Sequence, residues 1–259
     1  MSRARLLLAP ALIVAISAAA TDAPSPDILS RTRAQLGNFI KLFSDLKCTE
    51  QVTQSKLNKK GKVQESEKST FDYLVIAQEA GPDLTLQESR LAQDSPGKKP
   101  NASMLVTNGF ATLLLVFHPA YESSFSFSAP VMETVDGRKL ARIDFRHLHN
   151  KPSTMELVLR GREYPLDLAG TAWVDPESGS IVKMEAGLEQ AMEDIGLRVL
   201  HTEVEYGPVP LKGVDASIRL PQMAKVEVET LRQHWENVHR FSGYQRFSVD
   251  VEEKIKSQP

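Results

Sequence analysis

Three groups of side chains have the residue types and spacing to do chemistry. His147-Leu148-His149 sets two imidazoles two residues apart, on one face of a strand, where His201 or His118 as a third donor could complete a tetrahedral zinc site. Two histidines ahead of Asn150-Lys151-Pro152 are also what a frayed, solvated strand end looks like, and no metal is assigned to them. Ser44-x-x-Lys47 and Ser95-x-x-Lys98 spell the serine–lysine pair of penicillin-binding enzymes. The first falls at a predicted helix end and the second in a proline-glycine loop, without a Lys-Thr-Gly or Ser-Asp-Asn partner, so neither is assigned as catalytic. Asp175-x-Glu177-x-Gly179 is acidic like a calcium loop but lacks the further ligands, and a turn explains it. The single Cys48 cannot form an internal disulfide and reads as a small buried hydrophobe. No phosphate-binding glycine loop, metalloprotease helix motif or Gly-x-Ser-x-Gly elbow occurs, and the expectation is a protein without catalytic residues or cofactor.

The charges narrow the partners. With 31 basic against 33 acidic side chains in 259 residues there is no cationic excess to bind nucleic acid. Arg3 and Arg5 precede an apolar run, Leu6 to Ile16, and then Ser17-Ala18-Ala19-Ala20, which reads as a secretory signal over residues 1–20. Its loss leaves a net charge of −4. No later segment is apolar enough to span a bilayer, and export to the periplasm or beyond is expected. Residues 21–26 form a linker whose Ser25-Pro26 is a helix-start signal.

The elements that must position these residues are mostly strands. Ile28, Leu29, Thr32, Leu36, Phe39, Ile40 and Phe43 form one stripe of a helix. The period then changes to two: Cys48 to Leu57 and Lys62 to Gln78 flank the turn Asn58–Gly61, and Asp83 to Leu91 follows. Asp94 to Ser103 is a polar loop, and the apolar run Phe110 to Phe117 reads as a second short helix. Strands are expected around Phe125 and Phe127, then Leu140–His149, Met155–Leu159, Leu166–Val174, Ile181–Leu188, Leu197–Tyr206, Val214–Leu220, Val226–Trp235 and Phe241–Val251. The expected fold is mainly β: a strongly curved antiparallel sheet of about ten strands, an open half-barrel with both helices on its concave side, with a sandwich or closed barrel as the alternative; residues 27–259 form one domain, and a monomer is expected.

The N-terminal helix ending in Phe43, the long hairpin carrying Phe71-Asp72-Tyr73, and the segment from Gly170 through Trp173-Val174-Asp175 and Gly179 to Glu185 resemble the periplasmic lipoprotein-carrier family of the LolA and LolB type, with the related sensor RseB. That resemblance implies an apolar cavity between sheet and helices, in which each buried methylene of an acyl chain contributes roughly 0.8 kcal/mol. The lining it implies is Phe71, Tyr73, Phe125, Phe127, Ile143, Phe145, Leu157, Trp173, Met184 and Trp235. Two partners follow from it: a lipid or acylated lipoprotein, or an envelope protein met by a stress sensor or interaction module built on the same fold. A hydrolase or metal enzyme is the third alternative.

Overall fold

The computed structural model describes residues 27–44, 46–80, 83–93, 113–159, 161–211 and 219–246. The expected signal, the linker, the polar loop 94–103, the first residues of the apolar run and the segment beyond 246 lie outside them.

Helix α1 (Asp27–Phe43) buries Ile28, Thr32, Leu36, Phe39, Ile40, Leu42 and Phe43, while Ser30, Asn38 and Lys41 remain exposed. Thr32 points inward because its hydroxyl donates to the Ile28 carbonyl at 2.9 Å, so the stripe carries no unsatisfied polar group there. The helix ends where the Ser44 hydroxyl and amide close on Lys41 and Ile40.

Thirteen strands follow: β1 (Leu46–Leu57), β2 (Val63–Ala80), β3 (Asp83–Ala92), β4 (Phe125–Phe127), β5 (Val131–Val135), β6 (Arg138–His147), β7 (Glu156–Leu159), β8 (Arg162–Pro165), β9 (Leu168–Val174), β10 (Ile181–Leu188), β11 (Leu197–Pro208), β12 (Arg219–Thr230) and β13 (His234–Arg246). Eleven form one antiparallel, unclosed sheet in the order β3-β2-β1-β13-β12-β11-β10-β9-β6-β4, with β5 also on β6. The N-terminal strands thus join the rest through the last described strand: β1 pairs with β13 from Leu46↔Arg246 to Leu57↔His234. Strands β7 and β8 form a separate two-stranded ribbon.

Turn chemistry fixes the registers. Asn58 Oδ1 accepts the amides of Lys60 and Lys62, and Gly61 supplies the positive φ that closes the β1–β2 hairpin. Between β9 and β10 the carboxylate of Asp175 accepts the amides of Glu177 and Ser178, both at 3.0 Å.

Several expected elements shift. The apolar run is helical but tighter than an α-helix: Leu114–Phe117 and Pro119–Ser124 are consecutive 3-10 segments, separated where Pro119 holds His118 extended. The expected strand Val226–Trp235 is interrupted. Without glycine or proline, the Thr230 hydroxyl accepts the amides of Arg232 and Gln233 and makes a tight β12–β13 turn in its middle. Strand β12 begins earlier, at Arg219, and accommodates Pro221 at a bulge opposite Tyr206. The strand at Met155–Leu159 lies off the main sheet, because its partner is the neighbouring β8.

The core fills the concave side. Leu113 to Phe117 are buried against α1 and the sheet, and Phe117 stacks near Phe127 and Phe145 with ring centroids 5.2 and 6.1 Å away. Each such side chain contributes about 1.5–3 kcal/mol by leaving water.

Candidate functional site

Two polar constellations lie inside the sheet. The first is on β1, β3 and β13. The strand alternation that buries Leu46, Cys48 and Val52 also turns Glu50 inward, and it buries His239 between Asn237 and Phe241. Glu50 is inaccessible to solvent. Its carboxylate accepts from Arg90 Nε at 2.5 Å and Nη2 at 2.8 Å, and from His239 Nδ1 at 2.7 Å. Glu88 stands 3.6 Å from the same guanidinium, which lies 5.1 Å from the centroid of the Tyr73 ring. Burial pushes the Glu50 carboxyl up, but the hydrogen bonds from His239 and Arg90 outweigh it and hold the group below the usual carboxylate range. Burial lowers His239 against the opposing pull of Glu50, so the neutral ring donates through Nδ1. This is a buried ion pair with a histidine strut, closed to reactants.

Beside it, burial pushes the Cys48 thiol up to about 12, which removes the thiolate a nucleophile would need. Tyr244 donates to the Pro221 carbonyl at 2.6 Å, tying β13 to the bulge in β12.

The second constellation is a cleft at the start of β12, where that strand opens with Arg219. The β9–β10 turn presses against α1: a Cβ on Gly179, whose φ is +74°, would stand 2.6 Å from the Arg31 carbonyl carbon. Below that contact Thr32, Gln35, Leu36 and Phe39 of α1 face Leu114, Ser180, Ile181, Tyr206 and Arg219 across a narrow cleft with about 20 Å³ of free space. The walls are apolar except for Thr32, Gln35 and Ser180, the phenol of Tyr206 and the guanidinium of Arg219. The Tyr206 hydroxyl is buried without a hydrogen-bond partner among the described residues, and burial raises its proton affinity. Burial lowers that of Arg219, Arg138 lowers it further, and Asp175 opposes both.

None of the ten residues expected to line a cavity is among those around this cleft, while Phe127 and Phe145 border a second, more open hollow with Asp144, Arg146 and Thr171. Tyr73, Phe125, Ile143, Phe145, Met184 and Trp235 are buried in the core; Phe71, Phe127 and Leu157 are half-buried. Trp173 alternates with the buried Ala172 and Val174 and therefore lies on the outer face, where its indole N–H donates to Glu133 and Lys183 sits 5.2 Å from its ring. Of the residues around the cleft, Leu36 and Phe39 were legible as the helix stripe. Tyr206 and Arg219 carry no local sequence signal.

His147 and His149 do come together, on a carboxylate. Both donate through Nδ1 to Asp167, at 2.7 and 2.9 Å, and the second nitrogen of His147 faces the Pro152 carbonyl at 3.2 Å. The hydrogen bond from His149 is the main reason Asp167 titrates below the usual range, with His147 adding to it. Among the described residues no three His, Cys, Asp or Glu are grouped to hold a metal ion. Ser44 and Lys47 make no serine–lysine pair, since the Ser44 hydroxyl is bound to the helix end and Lys47 is exposed on β1. Among the described residues no helix is long and apolar enough to cross a membrane.

No protein-family model and no curated protein sequence matches the chain. Among solved structures it is similar to a putative outer membrane lipoprotein-sorting protein domain from Vibrio parahaemolyticus, at 11% identity over 87% of this chain and 94% of that one, with a TM-score of 0.47. A DUF1329 family protein from Desulfovibrio piger matches at 12% identity over 88% and 96% of the two chains, TM-score 0.42. The MucA/MucB complex structure from Pseudomonas aeruginosa matches at 10% identity over 84% and 99%, TM-score 0.21.

Proposed function

We propose that this chain is an exported, non-enzymatic binding protein of the bacterial envelope, carried to the periplasm by a signal over residues 1–20, with residues 27–259 acting as one half-barrel unit. It holds a lipid, or the acyl group of a lipoprotein, between helix and sheet. The observation that carries this reading is the apolar cleft between α1 and the sheet, walled by Leu36, Phe39, Leu114 and Ile181. Its free space of about 20 Å³ is far below ligand pockets of roughly 300–1,000 Å³, so any acyl chain enters only as α1 lifts from the sheet. Native mass spectrometry of the chain expressed with its leader and purified from the periplasm tests this. A stoichiometric bound lipid is the expected result, and lipid-free protein under gentle conditions overturns it.

A second reading, a sensor or interaction module, is favoured by β3. It ends the sheet, pairs among the described residues only with β2, and carries the exposed Leu91, as a strand poised for β-augmentation would. Lipid-free protein whose β3 amides become protected from exchange on adding envelope proteins would establish that reading.

A further inference from the structure

The hollow on β4, β6 and β9 lies at the opposite end of the sheet from β3, and it is open where the cleft beside α1 is narrow. About 560 Å³ of free space stands over Ser126, Ser128, Asp144, Arg146, Ala169 and Thr171, with Phe127 and Phe145 also in the lining. That is within the roughly 300–1,000 Å³ of small-molecule sites and needs no movement of a helix. Strand alternation explains it. Ile143, Phe145 and His147 are buried in the core, so Asp144 and Arg146 stand on the outer face of β6. The residues paired with them are short: Thr171 opposite Asp144, and Ala169 and Ser126 on either side of Arg146.

The polar groups of the hollow are fixed before any ligand arrives. The Asp144 carboxylate accepts the Thr171 hydroxyl at 2.7 Å and three contacts from the Arg142 guanidinium at 2.9 to 3.1 Å. The Ser128 hydroxyl accepts the Asp144 amide at 2.9 Å, and Arg146 donates to Glu189. Arg142 and Arg146 each answer one carboxylate, so this group carries no net charge with which to attract an ion. It retains hydrogen-bonding capacity, because a carboxylate has about four lone-pair positions and a guanidinium five N–H donors. The side chains of Asp144 and Arg146 are 47% and 61% exposed, so that capacity faces solvent. A fixed acceptor beside a fixed fork of donors, next to the half-buried ring of Phe127, matches the alternating hydroxyls and C–H face of a sugar ring.

We infer that this hollow is a binding site for a neutral oligosaccharide, with Asp144 and Arg146 hydrogen-bonding its hydroxyls and Phe127 against its C–H face. The site is independent of the lipid reading, since it shares no residue with the cleft beside α1.

Titration of the ¹⁵N-labelled protein, purified from the periplasm, with cellotriose and chitotriose tests it, with glucose 6-phosphate as the anionic control. Saturable amide shifts at Ser126, Ser128, Asp144 and Thr171 are expected with at least one trisaccharide, and a weaker response to the sugar phosphate. Ala169→Leu fills the floor without touching a charged group and is expected to abolish the shifts at sugar concentrations that saturate the wild type. Asp144→Asn is expected to weaken binding by about tenfold with the circular dichroism spectrum unchanged. No saturable shift with either trisaccharide overturns the inference, as does a stronger response to glucose 6-phosphate or binding that survives Ala169→Leu. Should Ala169→Leu fail to fold, Asp144→Asn decides alone, and an unchanged affinity there overturns the inference.

Discussion

Arg90 and Arg219 are both arginines drawn into the concave side of one sheet, and their surroundings are opposite. Arg90 meets two carboxylates, Glu50 and Glu88, with His239 bracing Glu50 from the far side. Arg219 is half-buried at the cleft, where burial and the charge of Arg138 lower its proton affinity and Asp175, held by its own turn, opposes them. A buried charge that is fully answered within the protein contributes order and has nothing left to offer. A half-buried charge that is answered poorly is a place where an outside anion gains more than it would in water. The contrast separates a brace from a candidate binding site.

The sharpest way to break the brace is Glu50→Gln, which leaves Arg90 buried without its main counter-charge. About 3–5 kcal/mol of stability should be lost, read from urea unfolding, whereas the double variant Glu50→Leu/Arg90→Met should recover most of it. A recovery as poor as the single variant would mean that the pair is not the source of the loss. At the cleft, Gly179→Ala forces an L side chain into positive φ and against the Arg31 backbone, and should cost about 1–3 kcal/mol while displacing the turn that forms the rim.

Acidification should act on the brace first, and on Asp167 and Asp175, whose carboxyls the fold also holds low, only at lower pH. The folded-state affinity of Glu50 for protons lies below its unfolded value of 4.5, so its contribution is present above that pH and is lost as pH falls through the depressed folded value. His239 is lowered from 6.5 in the fold, so protonation below that pH favours the unfolded chain and works in the same direction. Urea midpoints should therefore decline from pH 7 toward pH 4 in the wild type, through His239 first and through Glu50 below 4.5, and the Glu50 part should vanish in the Glu50→Leu/Arg90→Met chain while the His239 part stays. A wild-type midpoint constant over that range would remove the brace from the account.

The smallest effects come from one substitution made in both regions. Tyr244→Phe removes the 2.6 Å bond to Pro221 and should cost about 1 kcal/mol. Tyr206→Phe removes a hydroxyl with no partner among the described residues and should leave stability within about 0.5 kcal/mol of the wild type by thermal unfolding. Equal losses would erase the distinction.

How much of this was legible follows from which interactions are local. The stripe of α1, the Asn58–Gly61 turn and the Asp175–Gly179 turn are written in neighbouring residues, and each appears where spacing placed it. The β12–β13 turn was missed because Thr230 does with a hydroxyl what glycine and proline usually signal. Trp173 was misleading, since a large aromatic on a half-buried strand fits either face and only the flanking Ala172 and Val174 decide which. The brace joins Glu50 to a histidine 189 residues away, and Arg219 gains its meaning from Arg138 and from α1, so no window of sequence contains either.

The β1–β13 pairing has a kinetic consequence. Strands β1 to β3 can close on one another as soon as they exist, but they join the remaining sheet only through the last described strand. Three of the eleven strands must therefore wait, with the inward edge of β1 unsatisfied, until nearly the whole chain is available, and the long loop makes that closure a late and slow step. A chain that completes its sheet last stays threadable longest, a property that the proposed export would use.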